Sequence, residues 1–357
     1  MSATFFLGRG TSRASPTRSS DSVRDTNTLE DLPVGLFGSA MSVSGLSAAW
    51  QLAHVRYGAP EGIALAIGGL ALVAFVLLST SYALKLVAAS TAVREEFRHP
   101  VTSHLFGTIP ISLLQLPIVI EPFAHGLALA LWITGAIGAV FFAGLILSRW
   151  ASDRLGSAHA TPACIIPFVG VLTLPLALPV LGLPNVHSLM VAALAVGLSF
   201  AVLLFALIFS RLPFEPPLPG ALKPSLLILV APFAVGYSSY TVTAGRTDLF
   251  AEALFTLTLF LLVVLLGHLR HLPACCRFRV SWWAASFPLA ACSVAALRFA
   301  GARPGVIPDM IALALLTLAT LVVAGLLVGT LADIGKSRFA GLHREHESFW
   351  RGRAGWN

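Results

Sequence analysis

The sequence predicts an all-α integral membrane protein of ten transmembrane helices joined as five hairpins. Three observations carry this. Hydrophobic residues make up 57% of the chain and charged residues 11%, where soluble chains carry about 25% charged residues. Apolar runs of about 20 residues, the length that crosses a bilayer as a helix, recur along the chain. Lysines and arginines concentrate in every second connection between those runs, the asymmetry that orients a polytopic protein. The alternation over roughly ten-residue segments that a transmembrane barrel requires does not occur.

Taken in order, residues 1–31 are rich in Ser, Thr and Arg and hold no long apolar run. They read as a disordered cytoplasmic tail, and without an apolar h-region they are not a signal peptide. Residues 32–333 hold the ten spans, at 33–53, 61–89, 103–121, 123–148, 161–182, 187–211, 223–244, 247–270, 280–300 and 306–333. Short connections at 122, 183–186, 245–246 and 301–305 pair each odd span with the even span after it. Residues 334–357 form a charged cytoplasmic C-terminal tail.

The charges test this topology. Put both tails and the connections after even spans on one side. That side then holds every one of the 23 lysines and arginines except Arg56, Arg246, Arg298 and Arg303. Such a bias places both termini in the cytoplasm. It also accounts for the net charge of +7 without a nucleic-acid partner. Of the four cysteines, Cys164 and Cys292 fall in apolar runs, and Cys275 and Cys276 share one basic loop. No disulfide framework, metal site or cofactor is expected from them.

Prolines supply a second regularity. Pro110 and Pro117 fall within the third span, Pro167 and Pro175 within the fifth, Pro232 within the seventh and Pro288 within the ninth. Even spans carry none in their interiors, and Pro308 sits at the start of the tenth, where proline is tolerated. A proline removes a helical hydrogen bond and crowds the preceding turn. In a membrane the freed carbonyl needs protein or water nearby. Odd helices are therefore expected to form an inner ring around a central pore, and even helices an outer ring facing lipid. In the ninth span Phe287 directly precedes Pro288, so the helix is expected to bend or open there with Phe287 at the pore wall.

The odd spans are polar through hydroxyls rather than charges. Ser39, Ser42, Ser44 and Ser47 lie in the first, Thr108 and Ser112 in the third, Thr173 in the fifth, Ser225, Ser238, Ser239 and Tyr237 in the seventh, and Ser286 and Ser293 in the ninth. Ser42, Ser112 and Ser286 are the candidate pore-lining hydroxyls; close helix packing is the alternative use of such residues. A cation pathway would call for mid-span Asp or Glu, and a pore of hydroxyls suits an anion or a neutral solute. Glu121 and His125, near the turn after the third span, are the candidates for proton coupling in a carrier, with an interfacial position as the plainer reading. His104, His187 and Glu252 lie at span ends. The Gly329 to Gly335-Lys336-Ser337 stretch has the wrong spacing for a phosphate loop and follows a membrane helix. His343 and His346 stand in a tail. No catalytic triad or zinc motif appears, so no enzyme activity is expected.

Four stretches resemble a known family. They are Leu32-Pro33-Val34-Gly35-Leu36-Phe37-Gly38 with Gly45-Leu46-Ser47 and Trp50; Tyr82-Ala83-Leu84-Lys85 with Glu96-Phe97-Arg98-His99-Pro100-Val101 and Ile109-Pro110; Leu222-Lys223-Pro224-Ser225 through Ala231-Pro232 to Gly236; and Trp282-Trp283-Ala284-Ala285-Ser286-Phe287-Pro288. Together they resemble the TehA-type tellurite-resistance and C4-dicarboxylate transporter family, which includes plant slow anion channels. The resemblance implies five hairpins in quasi-fivefold arrangement, a homotrimer with a pore in each subunit, and a ninth-span phenylalanine, here Phe287, that plugs the pore. Ala285 departs from the pattern, since members often carry an aromatic there. The expected function is a gated channel for small inorganic or organic anions in a plasma membrane or bacterial inner membrane. The alternative is a proton-coupled carrier or exporter of C4-dicarboxylate, sulfite or a tellurite-related anion.

Overall fold

The computed structural model describes residues 32–152, 160–214, 220–269 and 282–335. Residues 1–31, the Cys275-Cys276 pair and residues 336–357 of the C-terminal tail lie outside the described residues. Among the described residues the fold is helical throughout, without a strand. The first span is α1 (Phe37–Tyr57), entered through a 3₁₀ turn at Val34–Leu36, and the second is α2 (Glu61–Ala88). A short helix, α3 (Ser90–Arg98), fills what the sequence reading treats as a plain connection. Its Arg- and Glu-rich run favours helix, and only Val93 and Glu96 of it are buried.

The prolines divide the third and fifth spans into pieces. The third runs as a 3₁₀ segment (Thr102–Gly107), α4 (Thr108–Gln115) and α5 (Pro117–Ile120). After α6 (His125–Ser152) comes the fifth span: a 3₁₀ turn (Pro162–Ile165), α7 (Ile166–Thr173), a second 3₁₀ turn (Leu174–Ala177) and α8 (Leu178–Leu181). The sixth span is α9 (His187–Phe214); it reaches Pro213, so one even helix does contain a proline, in its last turn. The seventh is a 3₁₀ segment (Gly220–Val230) followed by α10 (Ala231–Ala244), and the eighth is α11 (Leu249–Leu269). The ninth is α12 (Trp283–Ala302) and the tenth α13 (Val306–Gly335).

Nine described helical runs are long and apolar enough to cross a membrane. The exception among the ten expected spans is α1, which carries Ser39, Ser42, Ser44, Ser47, Gln51, His54 and Arg56. Its place in the bundle explains how a helix so polar is held: every residue from Phe37 to Ser47 is buried in protein.

Packing separates two rings. The buried share of the best apolar window is 72, 83, 83 and 67% for the third, fifth, seventh and ninth spans, against 17, 33, 28, 39 and 28% for the even spans. In the inner ring α1 touches α4, α4 touches α7, α7 touches α10, α10 touches α12, and α12 returns to α1. Outer helices cover the seams: α6 lies against α4 and α7, α9 against α7 and α10, and α13 against α12 and α1. Small residues make these approaches possible. A Cβ on Gly135 of α6 would stand 3.0 Å from the backbone nitrogen of Leu114, and one on Gly197 of α9 would meet the backbone nitrogen of Leu172 at 3.0 Å and its Cγ at 2.6 Å.

Neighbouring helices satisfy the fifth-span break at Pro175. Trp132 Nε1 of α6 donates to Leu174 O at 3.1 Å, and Ser239 Oγ of α10 donates to Leu172 O. This is the protein environment that broken membrane helices require. Odd spans turn into even ones at one end of the bundle, where Gly182 and Gly245 take φ of 61° and 65° to end their helices.

At the opposite, basic end, three even spans close in the same way. Lys85 Nζ donates to Leu32 O (2.7 Å), Arg149 Nη1 to Phe97 O (3.0 Å) and Arg211 Nη1 to Ala160 O (2.8 Å). In each case the cation at the foot of an even helix holds the backbone just before its own odd partner. These residues count in the sequence only as orienting charges; the fold gives each an acceptor.

Candidate functional site

The inner ring is the candidate site. Its wall is built from spans that contain no Asp or Glu within their helical runs. Phe287 is buried, 5% exposed, on α12. Across from it is Gly45 of α1. A Cβ there would lie 4.0 Å from Phe287 Cδ2, 3.3 Å from Ala290 Cβ and 3.4 Å from Gln115 Oε1. Spans one, three and nine therefore meet at a single level, and the absence of a side chain at Gly45 is what admits the Phe287 ring beside α1.

Pro288 does not interrupt α12, which runs unbroken from Trp283 to Ala302. The expected opening at Phe287 is absent. The reason is position: Pro288 lies in the second turn, and a missing N–H there costs one hydrogen bond while the turns on either side remain intact. The other predicted prolines do mark breaks or starts. Pro117 begins α5, Pro175 lies in a 3₁₀ turn, Pro167 and Pro232 fall at second positions of α7 and α10, and Pro110 is in the first turn of α4.

The hydroxyls are engaged. Ser286 Oγ lies 2.7 Å from Ser42 Oγ and 2.8 Å from Trp283 O, with its single proton serving one of them at a time, and Ser42 Oγ donates to Gly38 O (2.6 Å). This joins α12 to α1 one residue from Phe287. Ser112 Oγ donates to Thr108 O at 2.9 Å. All three side chains are fully buried. Gln115, which the sequence reading passes over, receives Ser44 Oγ at 3.0 Å and joins the third span to the first. The available signal is an amide alone in an apolar run between Pro110 and Pro117. Trp283 Nε1 donates to Thr330 Oγ1 (3.0 Å), and Trp50 Nε1 to Thr320 Oγ1 (3.1 Å), so α13 is tied to both α12 and α1.

The other singled-out residues lie away from this level. Glu121 and His125 approach at 3.5 Å on the surface of the turn, with 28% and 56% of their side chains exposed. His104 is buried beside Trp150, ring centroids 5.7 Å apart. Glu252 pairs with Arg303 at 2.6 Å. Among the described residues no group of His, Cys, Asp and Glu is arranged to hold a metal ion. At the basic end a buried cluster centres on Glu96. Its carboxylate accepts Val34 N–H (2.7 Å), Tyr82 Oη–H (2.8 Å) and Lys85 Nζ–H (3.0 Å). It fixes the backbone that leads into α1.

Comparison with known proteins agrees with this architecture. A family model described as a voltage-dependent anion channel, SLAC1, matches residues 31–331. The guard cell S-type anion channel SLAC1 of Arabidopsis thaliana is 28% identical over 312 residues, covering 84% of this chain and 55% of that protein. The S-type anion channel SLAH3 of the same plant is 26% identical over 314 residues, 84% of this chain and 48% of that protein. A tellurite resistance protein TehA homolog of Haemophilus influenzae is 25% identical over 274 residues, 75% of this chain and 81% of that protein. The chain spans about half the length of these two plant channels.

Proposed function

This chain belongs to the SLAC1 family of voltage-dependent anion channels, and from that premise we propose that it is a gated channel for small anions with Phe287 as its gate. Anions pass along the axis of the ring formed by α1, α4, α7, α10 and α12. The observation that carries the reading is the closed ring of five spans free of carboxylates, with a buried phenyl ring at the level where three of them meet. A carboxylate-free wall removes the repulsion an anion would meet in a low-dielectric passage. Backbone groups of the broken third, fifth and seventh spans supply polarity without fixed charge. Ser42, Ser112 and Ser286 act in this reading by holding the wall together, since their protons are engaged within it.

The basic end is cytoplasmic in this reading, consistent with the positive-inside bias. Three copies assemble through the apolar outer helices, each with its own pore, in a plasma membrane or bacterial inner membrane. The exposed Glu121–His125 pair offers little for coupled proton transfer, because it sits on the surface of a turn rather than inside the ring. The test is anion flux in liposomes holding purified protein. Phe287→Ala is expected to raise chloride and nitrate efflux well above wild type, without dependence on a proton gradient. Equal flux in the two proteins removes Phe287 as the gate, and no flux in either removes the channel.

A further inference from the structure

Four arginines stand toward the hairpin-turn end of the bundle, opposite the basic end, and three have acidic partners there. Arg56 pairs with Asp309 at 3.3 Å, Arg246 with Asp248 at 3.1 Å and Arg303 with Glu252 at 2.6 Å. The fourth, Arg298, has neither an ion pair nor a hydrogen bond among the described residues, and its Nε is buried without any acceptor. Arg298 lies eleven residues beyond Phe287 on α12. That is three helical turns, so it shares the Phe287 face about 16 Å further along the axis.

A second donor without an acceptor lies beside it. Tyr237 of α10 is fully buried, tilted against Phe255 (centroids 5.4 Å) and Phe299 (6.3 Å). Its Oη has no hydrogen-bond partner, Thr247 standing near but outside bonding geometry. Tyr237 and Arg298 interact electrostatically. Arg298 is half-buried, and its Nε, like the Tyr237 hydroxyl, is a buried donor left unmatched, which is costly. Here both belong to inner-ring helices, and the carboxylate whose charge reaches Tyr237, Glu252, is already paired with Arg303 at 2.6 Å.

We propose that Arg298 and Tyr237 form a binding site for the conducted anion at the hairpin-turn end of the ring. The site takes a small halide or oxyanion such as chloride or nitrate. The guanidinium supplies charge and a planar pair of N–H donors, and the phenol supplies one O–H donor. Its place on inner helices selects a small anion over a lipid headgroup. The inference rests on the channel reading for its role in conduction, and it stands apart from that reading as a statement about binding.

Two measurements test it. The first is thermal unfolding of the purified full chain in detergent, with chloride or nitrate replacing gluconate at fixed ionic strength. Wild type is expected to be stabilised saturably by both anions, Arg298→Gln not at all and Arg298→Lys in part. Tyr237→Phe is the sensitive variant. The Oη has no protein partner, so its removal leaves stability in gluconate unchanged or higher while weakening the anion effect. The second is liposome flux against chloride concentration. Half-saturation is expected to rise about tenfold or more for Arg298→Gln, the factor carried by a lost charge-assisted hydrogen bond. If both variants keep the wild-type stabilisation and half-saturation, the site is refuted while the channel stands. If wild type and Phe287→Ala carry no flux yet chloride stabilises wild type and not Arg298→Gln, the site stands and the channel reading falls.

Discussion

Replacing Glu96 with alanine removes the acceptor of three donors at once: Val34 N–H, Tyr82 Oη–H and the Lys85 ammonium. Only 1% of the Lys85 side chain is exposed, so water cannot take over from the carboxylate. Breaking one side of a buried ion pair costs about 3–5 kcal/mol. Lys85 keeps the Leu32 carbonyl at 2.7 Å, which sets the expectation near the lower figure, about 3 kcal/mol. Both variants leave Val34 N–H and Tyr82 Oη–H unmet; the double variant Lys85→Met, Glu96→Leu replaces the uncompensated charge with one unmet carbonyl, Leu32 O, at about 1–3 kcal/mol. The double variant should therefore be more stable than Glu96→Ala alone. Denaturant titration in mixed micelles, followed by tryptophan fluorescence, gives the ordering. Limited proteolysis reports on the N-terminal approach to α1, which should be cut sooner in Glu96→Ala. A single variant within about 1 kcal/mol of wild type, or a double variant weaker than the single, refutes the reasoning that the buried charge dominates.

The remaining predictions concern the packing of the rings and one turn. Gly197→Val drives a side chain against Leu172 and its backbone and is expected to cost about 1–3 kcal/mol in the same titration, whereas Gly144→Ala, which meets nothing within 4 Å, should be neutral or slightly stabilising. Tyr240 Oη donates to Asp248 at 2.6 Å and holds that carboxyl below its ordinary range, and Asp248 also accepts Ala251 N–H at the start of α11. A lowered folded-state value means the stabilisation is complete above the unfolded value and disappears as pH falls through the folded one. Thermal stability of wild type should thus decline below about pH 4 more than that of Asp248→Asn; parallel pH profiles would remove Asp248 from the account. Phe287→Ala flux remains the direct check on the gate.

Ring membership is legible in the sequence because proline is tolerated in lipid only where other groups serve the freed carbonyls. Pro110, Pro117, Pro167, Pro175 and Pro232 all fall in spans that are broken and buried. Pro288 also falls in a buried inner span but opens no break there, because proline's effect depends on its distance from the helix start, and the start at Trp283 is not marked by a capping residue. Pro213 shows the converse: a helix end can outlast an apolar pattern by several residues. The meeting of Gly45, Gln115 and Phe287 is a tertiary event between three distant spans, and no local pattern records it. Lys85 and Glu96 sit eleven positions apart across a helix boundary, so their pairing depends on where α3 folds back. Arg298 counts in the sequence as one more outer charge, and only the pairing of its three neighbours reveals it as the one left over.

The contacts of Lys85, Arg149 and Arg211 with Leu32, Phe97 and Ala160 span 53, 52 and 51 positions. Each closes within one hairpin, although Lys85 is held as well by Glu96 of α3, beyond its own hairpin. A charge retained on one face of the membrane during insertion is thus already beside the carbonyl it will hold once both legs have crossed. The second and third hairpins carry their own latches, the first shares its latch with α3, and ring closure becomes a matter of docking units whose feet are set. Neutralising one of these cations would then be felt during biogenesis, as a loosened or inverted hairpin, before it was felt in any current.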